Sequence, residues 1–395
     1  MFGTHKKLKA WQEAGLLSEA QLDAISAHEK LRHQGRFGRG MVGLALFAII
    51  VGVLSVIAAN WLLIPGGVKI ALHLALNILL AATVWEADRR GKEMVREGAL
   101  LVLGGLTLTL IALTGQVYQL GGSWSGALLL WQLAILPAFF IFGRTRLTVL
   151  PALLALVGSV PLIMADYLEP LPEFFVSFYI VMLGTFLPLC LIADGQMKIV
   201  RDLRPVWAAT SQRVGFVLLT LIASLSGRVW YSGLSETMFR DVSGTGLNPI
   251  QAHLMMGAIF VVAALCVGLY RLFSRRRGLA SRFYDLTALY VLAGIAMIGL
   301  PVIFPGAQYD LFAMVSFLAY WGFIAWYANE TGAMRLLSLA IFLLALRIWI
   351  IYLEAFGSLL STGFMLISGG ILMLGMIYAA RKLNRRLTGR EKGHV

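Results

Sequence analysis

The chain has 395 residues, of which 59% are hydrophobic and 13% charged, with a mean hydropathy of +0.81 and a formal net charge of +13. This composition excludes an ordinary soluble globular domain and makes lipid the solvent. The basic balance alone does not separate nucleic-acid binding from membrane topology, so the placement of the Lys and Arg residues has to decide.

Residues 1–38 form the one segment polar enough for soluble structure, and they contain no apolar run for a cleavable signal peptide. Leu8, Trp11, Leu16 and Leu17 give one apolar face, and Gly15 suits a helix C-terminus. Ser18 with Gln21 reads as a capping box that starts a second helix through Leu22 and Ile25. The prediction is a short cytoplasmic helical hairpin, too small to be stable alone, that packs on the membrane face or on a protein partner.

Twelve apolar stretches of transmembrane length follow, near 41–60, 66–86, 98–119, 124–142, 147–165, 173–193, 213–231, 250–271, 284–303, 309–328, 332–355 and 358–380. The expected fold is all-α, a polytopic integral membrane bundle of about 12 transmembrane helices. It divides into the hairpin, a first six-helix half at 39–193, a cytoplasmic linker at 194–212, a second six-helix half at 213–380 and a basic tail at 381–395.

All basic residues except Lys69, Arg228, Arg240 and Arg347 fall in the N-terminal tail, in alternate connections or in the C-terminal tail. Positive-inside topology then places both termini in the cytoplasm. The basic residues are scattered over short loops without interleaved aromatics, which argues against nucleic acid. Membrane lipids, including anionic headgroups, are the expected partners. Trp61, Trp124 and Trp230 lie at outer span ends, and Trp85, Trp207 and Trp326 at inner ends, where amphipathic rings anchor helices. Cys190 and Cys266 sit inside spans without a paired spacing, so neither a disulfide framework nor a thiolate metal site is expected.

The run WQEAGLLSEAQLDAI at 11–25, IAANW at 57–61, IPGGVKI at 64–70 and TGQVYQLGG at 114–122 resemble the bacterial predicted membrane proteins grouped as domain of unknown function 2157. RIWIIYLEAFGSLL at 347–360 is similar to C-terminal segments seen with such proteins. The resemblance implies an inner-membrane protein and supplies no chemistry. A weak internal echo matches ALLVLGGL at 99–106 with ALYVLAGI at 288–295, and Trp131 with Trp321; both a parallel repeat and chance alignment of apolar segments explain it.

Polar side chains inside spans are the functional candidates, because each costs roughly 2.5–3.5 kcal/mol at a helix centre when unpaired. Arg347 and Glu354 share one face of a span two turns apart, and His73 and Asn77 stand at i and i+4 on another. Arg347, Glu354 and His73 project to the outer half of the membrane with Arg228, Gln116, Tyr118, Gln119 and His253, as do Asn60 and Gln251, while Asn77 lies deeper and Asp285 sits near an inner edge. These residues suggest an outward-opening polar cavity for a solute; the competing reading is helix-to-helix hydrogen bonding. The GQVYQLGGSWSG run at 115–126 reads either as a re-entrant substrate rim or as a tight turn between two spans. Two His without a carboxylate at ligand spacing make a poor metal site, and no nucleotide fingerprint is present, so neither metal nor cofactor is expected.

A transporter of a small, anionic solute fits the spans, the short loops and these side chains; Arg347 would hold the anion while Glu354 or His73 exchanges a proton. A membrane-embedded enzyme acting on a lipid-linked envelope precursor is an alternative. The outer loop at 62–67 holds no acid, whereas 232–249 carries Glu236, Arg240 and Asp241. A scaffold or regulator docking through the hairpin is the third class.

Overall fold

The structure is a computed structural model. It describes residues 64–231, 245–276, 281–304 and 309–356 with the single positions Gln12, Ser18, Gln21 and Gly370; side chains at 228–231, 274–276, 281–282, 309–310 and 352–356 lie outside that description. The chain divides into two compact units, Met1–Leu74 and Ala75–Val395.

Among the described residues the elements are all helical: α1 Gly66–Arg89, α2 Glu93–Val117, α3 Trp124–Phe142, α4 Arg146–Leu168, α5 Glu173–Gln196, the short α6 Lys198–Leu203, α7 Pro205–Tyr231, α8 Pro249–Arg276, α9 Ser281–Ile303, α10 Tyr309–Glu330 and α11 Met334–Phe356. Ten of them, all but α6, are long and apolar enough to cross a membrane, and they match the second to eleventh predicted spans. The predicted spans at 41–60 and 358–380 and the body of the N-terminal hairpin lie outside the described residues. Of the hairpin, Ser18 and Gln21 are described: the Ser18 N–H donates to Gln21 Oε1 at 3.0 Å and the Gln21 N–H to Ser18 Oγ at 3.3 Å, which is the predicted capping box.

The helices are apolar around most of their circumference, so small and polar residues set which side packs. Leu133 and Leu254 remain 70% exposed, a placement that lipid tolerates and water does not. Two cores form within the second unit. Leu100, Leu103, Ile135, Phe139, Val149 and Leu153 join α2, α3 and α4. Phe174, Leu219, Met256, Ile295, Trp321 and Ile324 join α5 with α7 to α10, and Ala340 adds α11. The α5–α7 pair serves both cores, giving Leu191 and Trp207 to the first and Ile192 and Leu219 to the second.

Close approach holds α5 to α7. A Cβ at Gly195 would lie 2.4 Å from the Ala208 carbonyl oxygen, and one at Gly215 would lie 2.9 Å from that of Pro188. Ser211 Oγ donates to the Leu191 carbonyl at 3.0 Å. Small residues that let backbones touch are the usual means of helix association where no hydrophobic force distinguishes helix from lipid. Trp207, expected as an interfacial ring, is instead 8% exposed. Its Nε1 donates to Asp194 at 3.1 Å and its ring meets Phe140 edge-on, so a local carboxylate captures the indole that the headgroups would otherwise take.

The ends of these helices joined by Lys- and Arg-bearing connections form a basic end. There, Glu97 at the start of α2 holds the α3–α4 corner. Glu97 Oε1 accepts from Arg96 Nη2 at 2.6 Å and from the Arg144 N–H at 3.0 Å. Its Oε2 accepts from the Thr145 N–H at 3.3 Å, Thr145 Oγ1 at 2.9 Å and Thr148 Oγ1 at 2.5 Å. Asp88 binds both Arg96 at 3.2 Å and Arg144 at 3.0 Å. A buried carboxylate is tolerated here because charge-assisted donors surround it.

At the other end of α2 the 115–126 run is a turn. The Leu120 N–H donates to the Gly115 carbonyl at 3.0 Å and Gln119 takes φ +49°, the pattern of a Schellman C-cap; Ser123 then caps α3. The tight-turn reading therefore describes this segment. Because Gln119 occupies a left-handed position that glycine adopts without strain, Gln119→Gly is expected to raise stability by about 0.5–1 kcal/mol, read as a shift in equilibrium unfolding in micelles.

Candidate functional site

The sequence-predicted site residues fall on five helices, α1, α2, α7, α8 and α11, and at the end of α2. Asn77 is 8% exposed and accepts from Thr107 Oγ1 at 3.0 Å, linking α1 to α2. His73 is half-buried within the first unit. Gln116, Tyr118 and Gln119 lie at the C-terminal end of α2, all three exposed. Gln251 closes a capping box with Asn248, which exchanges hydrogen bonds with it at 3.0 and 2.8 Å; His253 is half-buried two residues later. Arg347 lies on α11 with its guanidinium 6.0 Å from the centre of the Phe317 ring of α10, a cation–π contact between neighbouring helices. Arg228 and Glu354 lie on α7 and α11 with side chains outside the described residues.

A cavity of about 200 Å³ forms at the basic end, between the C-terminal turns of α5 and α8 and the first turns of α9. Leu189, Ile192, Val267 and Val291 make its walls apolar, and Gln196, Tyr270, Arg271, Tyr284 and Thr287 supply the polar groups. Each is placed by a local cause. Gln196 ends α5 immediately after Gly195, whose contact with α7 fixes that last turn. Arg271 closes the apolar length of α8, and Asp285 lies one turn into α9, so the α8–α9 connection brings the two charges together.

Arg271 Nε donates to Asp285 Oδ1 at 2.7 Å, with side-chain exposures of 39% and 28%. The carboxylate orients the guanidinium through Nε, and the terminal nitrogens are not used by that bond. Gln196 is 8% exposed, and its Nε2 has no hydrogen-bond partner among the described residues. An orphaned buried amide donor is costly, and it selects for something that accepts a hydrogen bond. Arg271 also borders a shallow depression of about 420 Å³ on α8 with Leu265, Gly268, Leu269 and Leu272. One guanidinium thus faces both an internal cavity and an apolar helix surface.

Behind the cavity, hydroxyl groups continue into the second core. Thr287 Oγ1 is buried with no hydrogen-bond partner among the described residues, and the Tyr290 hydroxyl is hydrogen-bonded to Thr220 Oγ1. The Tyr290 and Tyr327 rings stand 4.7 Å apart. Farther along, Trp321 Nε1 donates to Ser224 Oγ at 3.1 Å, whereas Trp131, its partner in the sequence echo, donates to the Gly104 carbonyl at 2.8 Å. The echoing tryptophans therefore bind different helix neighbours. No group of three or more His, Cys, Asp or Glu residues at metal-binding geometry occurs among the described residues.

Sequence reasoning counted Arg271 as topological and did not single out Gln196, Tyr270, Tyr284 or Thr287. Two signals were available: Asp285 as an ionisable residue inside a span, and Gln196 as an amide at a span end.

Residues 9–148 match the sequence model of the family described as "Predicted membrane protein (DUF2157)", the family that the N-terminal motifs resemble. That segment contains the Glu97 corner and the 115–126 turn, while the cavity residues lie beyond it. Comparison with curated proteins and with solved structures gives no match.

Proposed function

We propose that this membrane protein is a carrier of a small, anionic solute in the bacterial inner membrane, with both termini cytoplasmic and the Arg271 cavity opening inward. The cavity carries this reading: a largely apolar pocket with an oriented guanidinium and a buried amide donor unpartnered among the described residues is the usual anatomy of a small-molecule site. The orientation is supported by the sidedness of the basic residues, which puts the α5–α6, α8–α9 and α10–α11 connections in the cytoplasm.

In an alternating-access cycle the solute leaves the inner cavity by way of Arg271. The outer-half residues, with Arg347 against Phe317 and His253 near the start of α8, would meet it in the opposite state. Membrane lipid would surround the bundle, and residues 1–38, whose sequence predicts a helical hairpin, are the segment a cytoplasmic protein partner would meet.

Solute counterflow in proteoliposomes, run over a panel of small organic and inorganic anions, tests the reading. At least one anion should accumulate with wild type, and Arg271→Gln should reduce its initial rate about tenfold, as loss of a hydrogen bond to a charged group implies. Absence of counterflow for every anion, or equal rates in the variant, would overturn it.

A further inference from the structure

The chemistry of the cavity narrows the ligand beyond its charge. Its walls are aliphatic over most of their area, so a compact hydrated anion would exchange its water for Leu189, Ile192, Val267 and Val291 with little return. A ligand with an apolar body gains from the same walls. The Gln196 Nε2, unpartnered among the described residues, asks for an acceptor, and the outer edge of the Arg271 guanidinium offers two parallel donors suited to a planar or tetrahedral oxyanion. At about 200 Å³ the space is smaller than pockets of roughly 300–1,000 Å³ that enclose a drug-sized molecule, so it suits part of one narrow chain. The depression on α8 that shares Arg271 continues the apolar surface outward between Leu265 and Gly268.

We propose that the α5–α8–α9 cavity binds a single-chain anionic amphiphile, with the chain among Ile192, Val267 and Val291 and the oxyanion between Arg271 and Gln196. The head group displaces none of the Arg271–Asp285 pairing, because Asp285 uses Nε. Entry is lateral, along α8, so the charged head stays at the basic end while the chain passes through lipid. The proposal rests on the reading of this cavity as the ligand site of a carrier.

The test uses the full chain in nanodiscs of phosphatidylcholine, with saturable binding followed by thermal stabilisation and by titration calorimetry. Decanoate should bind, whereas acetate, which lacks the chain, and decanol, which lacks the charge, should not at equal concentration. Arg271→Gln and Gln196→Leu should each weaken decanoate about tenfold. Gln196→Leu removes an unpaired buried donor, so without ligand it should melt no lower than wild type. Ala288→Phe fills the cavity and should abolish binding.

Replacing part of the phosphatidylcholine with lysophosphatidylglycerol, an anionic lipid with one chain, separates the two sources of such a ligand. Competition with decanoate assigns the site to an anionic lipid, and undiminished binding assigns it to a free carboxylate. Decanoate binding no tighter than decanol, or binding unchanged in all three variants, would overturn the proposal. Binding without any counterflow would overturn the carrier reading and leave the site; counterflow of a short anion without decanoate binding would do the reverse.

Discussion

Glu97→Ala is expected to destabilise the protein by about 3 kcal/mol, the lower end of the cost of breaking a buried ion pair, because Arg96 keeps Asp88 at 3.2 Å. Interhelical hydrogen bonds in membranes average only about 0.6 kcal/mol, because the unfolded chain finds other partners in lipid. Glu97 differs in that its side chain is 1% exposed and that of Arg96 is 4% exposed, so the substitution takes the nearest carboxylate from a guanidinium in the interior. The same change takes the acceptor from the Arg144 and Thr145 N–H groups and the Thr145 hydroxyl, and leaves the Thr148 hydroxyl only the Thr145 carbonyl at 3.2 Å. Arg96 begins with one buried nitrogen, Nε, that has no partner among the described residues, which leaves it little reserve. Equilibrium unfolding in mixed micelles measures the loss, and the Arg96→Ala, Glu97→Ala double variant should lose clearly less than the sum of the single ones. A loss below about 1 kcal/mol for Glu97→Ala would mean that the corner does not hold α2 to α4.

Gly195→Leu is the second large effect, expected to cost about 3 kcal/mol or more, at the upper end of overpacking. The atoms a Cβ would meet include the Ala208 carbonyl oxygen at 2.4 Å and the Gln212 N at 2.8 Å, both backbone, so no side-chain rotation can relieve the clash. A graded series isolates the cause. Gly294→Ala should be milder, because its Cβ would meet the Leu219 side chain, at 2.8 Å, and no backbone; Gly105→Ala should be neutral or stabilising, because nothing among the described residues lies within 4 Å. Since Gly195 precedes Gln196, the Leu variant should also lose ligand binding in whatever fraction folds. Equal unfolding free energies across the series would contradict the close packing of α5 on α7.

Hydropathy made ten helices legible, nine of them within about five residues at each end, because a bilayer thickness forces long apolar runs; α7 starts at Pro205, inside the predicted linker, where Arg213 and polar neighbours break the apolar run. The Ser18–Gln21 capping box was legible for a different reason: it is satisfied within four residues and needs no tertiary context. Side-chain destinations were not legible in the same way. Gln251 and Asn77 look alike in sequence, yet one caps its own helix and the other binds Thr107 on a neighbour. Trp207 was expected in the headgroups because Asp194, which captures it, is 13 residues away and approaches only through the turn around α6.

The candidate site was obscured by the strength of the topological signal. Every basic residue on the inner side serves orientation, so Arg271 carried no further information until Asp285 was placed beside it. Gln196 gains its meaning from a donor left without a partner among the described residues, a property of packing and not of composition. The Glu97 corner was hidden likewise, since its donors come from residues 144–148, some fifty positions away.

Photolabelling with a diazirine-bearing decanoate, mapped by peptide mass spectrometry on the full chain in nanodiscs, tests the assignment of the α5–α8–α9 cavity most directly. The account predicts label on Ile192, Cys266, Val267 or Val291, competed by plain decanoate and lost in Ala288→Phe. Label spread over exposed lipid-facing residues such as Leu133 and Leu254, and unchanged by competitor or variant, would contradict it.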